Sequence, residues 1–86
     1  MSEKISEKIS VNLVYDHSNR TSVPRHIKWK THVYTITKVG LHYTVFQGNT
    51  LLHKFSVCNN DYFFLLSFNT KTLEWLLEEV TDDTTN

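Results

Sequence analysis

The stretch that most limits what this chain can become is Tyr62–Phe68, "YFFLLSF". Strand side chains alternate between two faces. Here Tyr62, Phe64, Leu66 and Phe68 share one face while Phe63 and Leu65 stand on the other, so both faces are apolar. Such a strand belongs inside a sheet that is covered on both sides, and left bare it is an aggregation hazard. With 86 residues there is little chain for a separate layer on each face. A strongly bent sheet curling into a small barrel is therefore expected. The uninterrupted apolar run, Tyr62–Leu66, is far too short to span a bilayer.

Neighbouring segments carry the matching period. "SVNLVY" (10–15) alternates, and "DHSNRTS" (16–22) is a loop of turn-forming residues. Pro24 opens the next strand, in which Ile27 and Trp29 face away from His26, Lys28 and Lys30. "HVYTITKV" (32–39) is rich in β-branched residues, and Gly40 is expected to break or bulge it. "LHYTVF" and "LLHKFSV" flank Gln47-Gly48-Asn49-Thr50, which suits a tight hairpin. A two-residue turn at Asn60-Asp61 sets Val57 opposite Phe64 and Phe55 opposite Leu66. A slip of one residue would turn the apolar set outward.

Two periods compete at the C-terminal end. Leu73, Leu76, Leu77 and Val80 match a helical stripe, giving an α+β alternative with a helix at 72–80. A four-residue loop "NTKT" instead pairs Phe68 with Leu73, Leu66 with Trp75 and Phe64 with Leu77, three apolar cross-strand pairs on one face. The strand is favoured. The fold expected is all-β, one antiparallel meander of about six strands, twisted and closing into a small barrel. Its domain spans 10–80, between a flexible tail at 1–9 and an acidic polar tail at 81–86. The expected core is Val11, Leu13, Ile27, Trp29, Tyr34, Ile36, Phe55, Val57, Phe64, Leu66, Phe68, Leu73, Trp75 and Leu77.

Charge is distributed unevenly. The net charge is zero, yet residues 17–60 carry Arg20, Arg25, Lys28, Lys30, Lys38 and Lys54, all five histidines and no acid. Residues 61–86 carry a net −5. Such asymmetry bears on partners where net charge alone does not. Either the acidic end lies beside the basic strands and pairs with them, or the basic middle faces a polyanion or an acidic protein. For nucleic acid, the candidate binding residues are Arg25, His26, Lys28, Lys30, Lys38 and Lys54, with Tyr43 as a stacking platform.

Chemistry of other kinds has little support. No Gly-rich phosphate loop, CxxC, HExxH or GxSxG occurs. His26, His32, His42 and His53 match no metal-ligand spacing, so no metal or other cofactor is expected. Cys58 is the single cysteine and no base is positioned beside it, so no catalytic residue is assigned. The N-terminal "MSEKISEKIS" lacks the apolar core of a signal peptide, and a soluble cytoplasmic location is expected.

Pro24, "IKWKTHVYTIT" (27–37), "KFSV" (54–57) and "FLLSFNTKTLEWLLEEV" (64–80) together form an order of motifs. In this order the chain resembles a group of short bacterial proteins of unknown function, similar to segments found beside or fused to Y-family translesion DNA polymerases. The resemblance implies an all-β meander, a final strand rather than a helix, and a loose link to DNA transactions. It brings no catalytic residues. The function expected is non-catalytic binding, as a nucleic-acid or nucleoprotein accessory module using the basic middle. The alternative is a protein-interaction or self-association module, including a homo-oligomer, with no nucleic-acid role.

Overall fold

The computed structural model describes residues 2–82. Seven strands follow in chain order: β1 (Ser2–Asp16), β2 (Thr21–Trp29), β3 (His32–Thr35), β4 (Lys38–Gln47), β5 (Thr50–Cys58), β6 (Tyr62–Asn69) and β7 (Trp75–Asp82). They form one antiparallel sheet in the order β3-β2-β1-β7-β6-β5-β4. Among the described residues no helix is long and apolar enough to cross a membrane.

The tight turns follow local chemistry. Gly48 takes φ 65 as the first central residue between the paired Gln47 and Thr50, the φ expected there in a type II′ hairpin. Asn59 accepts the amide hydrogens of Asp61 and Tyr62 on its side-chain oxygen, at 2.8 Å each. This fixes the two-residue turn, and Val57 lies opposite Phe64 and Phe55 opposite Leu66, the register the sequence indicates. At Gly40 β4 bulges, and a Cβ there would meet the Ser56 carbonyl oxygen at 3.3 Å.

β1 decides the architecture. Residues 2–9 pair with β7, and residues 10–16 leave it to pair with β2. The sheet thus folds into a five-stranded wing (β1-β7-β6-β5-β4) and a three-stranded wing (β1-β2-β3) with their inner faces together. Tyr34 of the small wing meets Phe64 of the large one at 5.3 Å between ring centroids. Ile27, Ile36, Phe55, Val57, Phe64, Leu66 and Leu77 make the core between them.

Several expectations need correction. The N-terminal segment is no loose tail. Ile5 and Ile9 pack against the core, which gives an otherwise polar repeat the anchor it needs as a strand. Ser6, at φ 54, lies where the β1–β7 register shifts. Of the acidic tail expected at 81–86, residues 81 and 82 belong to β7, and the rest lie outside the described residues.

Nor is the sheet a closed barrel. β3 ends after four residues, and the chain crosses to the opposite edge at Ile36 and Thr37. The Ile36 amide donates to the Arg25 carbonyl at 2.7 Å, and the Thr37 amide to the Cys58 carbonyl at 2.9 Å. β3 and β4 are the two edges and form no ladder with each other. The break therefore falls at Ile36-Thr37, where one strand was expected to run through to Val39.

The C-terminal element is a strand, and the helix at 72–80 does not form. Its register differs from the expected one by two residues at Phe68–Trp75 and Leu66–Leu77, and by three past the bulge at Glu78, where Phe64 pairs with Val80. The loop is longer because the Asn69 side chain accepts the amides of Lys71 and Thr72, which holds residues 69–74 as a wide turn. Leu73, expected in the core, sits in that turn at φ 65 and is 70% exposed. Leu13, also expected in the core, is 44% exposed on the β1–β2 hairpin. Leu52 is buried and Val80 packs on the core, positions the sequence reading passed over.

Candidate functional site

The seven expected binding residues do not gather in one place. His26 and Lys28 stand on the outer side of β2, beside Asn12 and Ser10 of β1 and Thr35 and Val33 of β3. Lys30 follows in the β2–β3 turn at φ 59, with its ammonium 5.3 Å from the Trp29 ring centroid. Lys8, Lys28 and Lys30 line one shallow cleft of about 300 Å³ with Ile9 and Ser10. Arg25 and Lys38 lie elsewhere, in a cleft of about 190 Å³ around the Ile36-Thr37 crossover. Tyr43 and Lys54 face each other across β4 and β5 on the outside of the large wing.

The acidic C-terminal segment engages some of the bases and leaves others. Glu78, the extra residue where β7 bulges against β6, forms an ion pair with Lys54. The two side chains are only 25% and 15% exposed, so this ammonium is already partnered. Glu74 pairs with Lys8 at 3.0 Å on the surface, and the hydrogen bond from Lys8 holds its carboxyl below the ordinary range. Glu7 accepts the Trp29 indole N–H at 2.9 Å. Arg25, Lys28, Lys30 and Lys38 form no ion pair with a described residue.

The second feature is the β4 edge. Along this strand Leu41, Tyr43 and Val45 point to the outer face, opposite Ser56, Lys54 and Leu52 of β5. Leu41 is 64% exposed, and Phe46 near the strand end is 72% exposed. Outward on the same sheet face, Phe63 is also exposed. Only Lys38 among the ten residues of β4 is charged, and none is proline. Natural edges are usually blunted by charge, proline, bulges or short length. Past the Gly40 bulge this edge has none of these. Its alternating, uncharged sequence was legible, but its place at the rim was not.

The third feature lies on the inner face, where the hairpin of β1 and β2 overhangs the large wing. A cleft of about 290 Å³ is lined by Leu13, Arg20, Thr21 and Ser22 above and by His42, His53, Phe55, Phe68 and Trp75 below. His42 Nε2 and His53 Nδ1 lie 2.8 Å apart, a hydrogen bond in which one ring donates and the other accepts. The His42 ring stacks flat on Phe55, at 4.2 Å and 8°. Partial burial, and secondarily the positive charge His53 would carry, lower the His42 pKa from its ordinary value.

The hairpin expected at Gln47–Thr50 puts His42 and His53 on adjacent strands, and its two-residue turn sets them diagonally across the β4–β5 ladder, though their spacing in sequence matched no motif. His26 and His32 are on the other wing. No protein-family model, no curated protein and no solved structure matches this chain.

Proposed function

We propose that this chain is a non-catalytic β module that pairs with a second copy of itself through the outer edge of β4. The observation behind this reading is the unguarded run from Leu41 to Gln47, whose outer backbone groups have no neighbouring strand among the described residues. Such an edge is a template for another strand. A second copy suits it chemically. In an antiparallel pair with Tyr43 on the two-fold axis, Leu41 of each copy meets Val45 of the other. Two apolar cross-strand pairs then flank a tyrosine pair, and no charges oppose.

The surface buried is on the order of 1,000 Å² in total, at the small end for specific interfaces, so the dimer is weak and reversible. Sedimentation equilibrium across micromolar to millimolar protein tests this. The wild type should dimerise with Kd in the range of roughly 10–500 μM, since about 1.4 kcal/mol is tenfold in affinity and the interface is small. Leu41→Lys should weaken it by about tenfold or more while the circular dichroism spectrum stays unchanged, because Leu41 is mostly exposed. A wild type that stays monomeric throughout, or a dimer indifferent to this change, rules the reading out.

A second reading, polyanion binding by the outer side of β1 and β2, is favoured by one observation: Lys28 and Lys30 form no ion pair with a described residue and lie beside Lys8 on one cleft. The resemblance to segments near translesion polymerases points the same way. Titration with a single-stranded oligonucleotide at low salt is the test. Lys28→Glu with Lys30→Glu should weaken binding about tenfold and reduce the salt slope by up to about two. No binding at ~100 μM protein removes this reading.

A further inference from the structure

We propose that the cleft between the β1–β2 hairpin and the inner face of the large wing binds a small apolar molecule bearing one carboxylate. This site lies on the opposite side of the sheet from the outer apolar face of β4 and does not depend on self-association.

The walls define the body of the ligand. Leu13, Phe55, Phe68 and Trp75 give the cleft an apolar lining, and its ~290 Å³ sits at the lower end of small-molecule sites. Phe68 and Trp75 pack at 4.9 Å and Phe55 and Trp75 at 5.5 Å, so the floor is a continuous aromatic surface. A flat ring suits this floor better than a branched chain does.

The polar groups define its head. Among the described residues no carboxylate lines the cleft, while Arg20 and two imidazoles do. Asp16, four residues before Arg20, is the nearest acid in the hairpin. Its two carboxylate oxygens accept from the Ser18 amide at 3.0 Å and the Asn19 side-chain amide at 2.9 Å. Arg20 has no ion pair with a described residue and stands in the turn at φ 55. Its guanidinium is a fork matched to a carboxylate. The histidine pair adds a donor. With one proton between Nε2 of His42 and Nδ1 of His53, the remaining ring nitrogens, Nδ1 of His42 and Nε2 of His53, face other directions.

The same distance argues against a metal between the rings. Nitrogens 2.8 Å apart are hydrogen-bonded to each other. Two imidazoles on one tetrahedral zinc, each about 2.0 Å from it, place their nitrogens farther apart than that.

The probe is 1-naphthoate, with uncharged 1-naphthalenemethanol as its partner. Both are titrated into the wild-type chain while the Trp75 indole and the His42 and His53 ring signals are followed by NMR. The carboxylate should shift all three, and should bind at least about tenfold more tightly than the alcohol, the scale of one hydrogen bond to a charged group. Arg20→Gln should remove that difference and leave the alcohol unaffected. Ser22→Trp, which places bulk at the cleft wall, should weaken both. Absence of shifts at millimolar naphthoate overturns the proposal. So do equal affinities for the two probes, an Arg20→Gln variant that keeps the preference, or shifts confined to residues outside the cleft.

Discussion

Replacing Leu73 by glycine separates two registers of the last hairpin by the size of its effect. In the structure Leu73 sits in the left-handed region at φ 65 and is 70% exposed. An L-residue with a Cβ is disfavoured there by about 1–2 kcal/mol, which glycine relieves. Against this, glycine costs about 0.5–1 kcal/mol more backbone entropy on folding. The fraction of the side chain that is covered, less than a third, is worth about 0.5–1 kcal/mol of a full leucine burial. These nearly cancel, so Leu73→Gly should change stability by less than about 1 kcal/mol in either direction. Had Leu73 paired with Phe68 in the core, the loss would be about 3–5 kcal/mol, as for large-to-small core changes. Urea denaturation with a slope of about 1 kcal/mol per molar resolves the two easily. Leu77→Ala is the internal control: Leu77 is fully buried opposite Leu66 and should cost about 2–5 kcal/mol. A Leu73→Gly protein destabilised as much as Leu77→Ala would refute the wide turn at 69–74 and the pairing built on it.

Two further outcomes follow from the sites. Lys54→Ala should cost about 1–3 kcal/mol, because it strands the mostly covered Glu78 carboxylate, and Lys54→Met with Glu78→Leu should recover much of it. An unshifted melting temperature in Lys54→Ala would show the pair to be irrelevant. The His42 pKa is lowered in the folded chain, so as pH falls past its ordinary value of about 6.5 the unfolded chain takes up the proton first. The stability linked to His42 is therefore complete above that value and is lost as pH falls toward the folded value. The urea midpoint should drop between pH 7.5 and 5.5, less so in His42→Gln, and an equal drop in both would place the pH dependence elsewhere.

Within this chain, much of what depends on neighbours in sequence was readable from sequence. The turn at Asn60-Asp61 and the register of Phe55 and Val57 against β6 follow from alternation and from what an asparagine side chain can accept. The all-β class followed from the same alternation, and strand rather than helix at the C-terminal end from apolar pairing across a hairpin. The exact pair, Phe68 with Trp75, did not follow. From Trp75 to Leu77 the shift of two keeps each side chain on its face, so apolar pairing there cannot tell the two registers apart, and the Asn69 turn decides; past Leu77 the bulge at Glu78 adds one more residue.

Tertiary structure alone settled the rest, because it turns on contacts between residues far apart in the chain. "SEKISEKIS" looks like a loose tail until β7 is there to pair with it. Both faces of β6 being apolar suggested closure, yet one face is enclosed by the small wing and Phe63 on the other stays open. The expected basic site was a property of the middle of the sequence. In space its residues divide among three surfaces, because consecutive strands of the middle lie at opposite edges of the sheet. The same crossover puts β4 on the rim. The folding of β1 brings Arg20 to the cleft that His42 and His53 line. Composition and periodicity carry no record of that order, since many strand orders bury the same apolar faces.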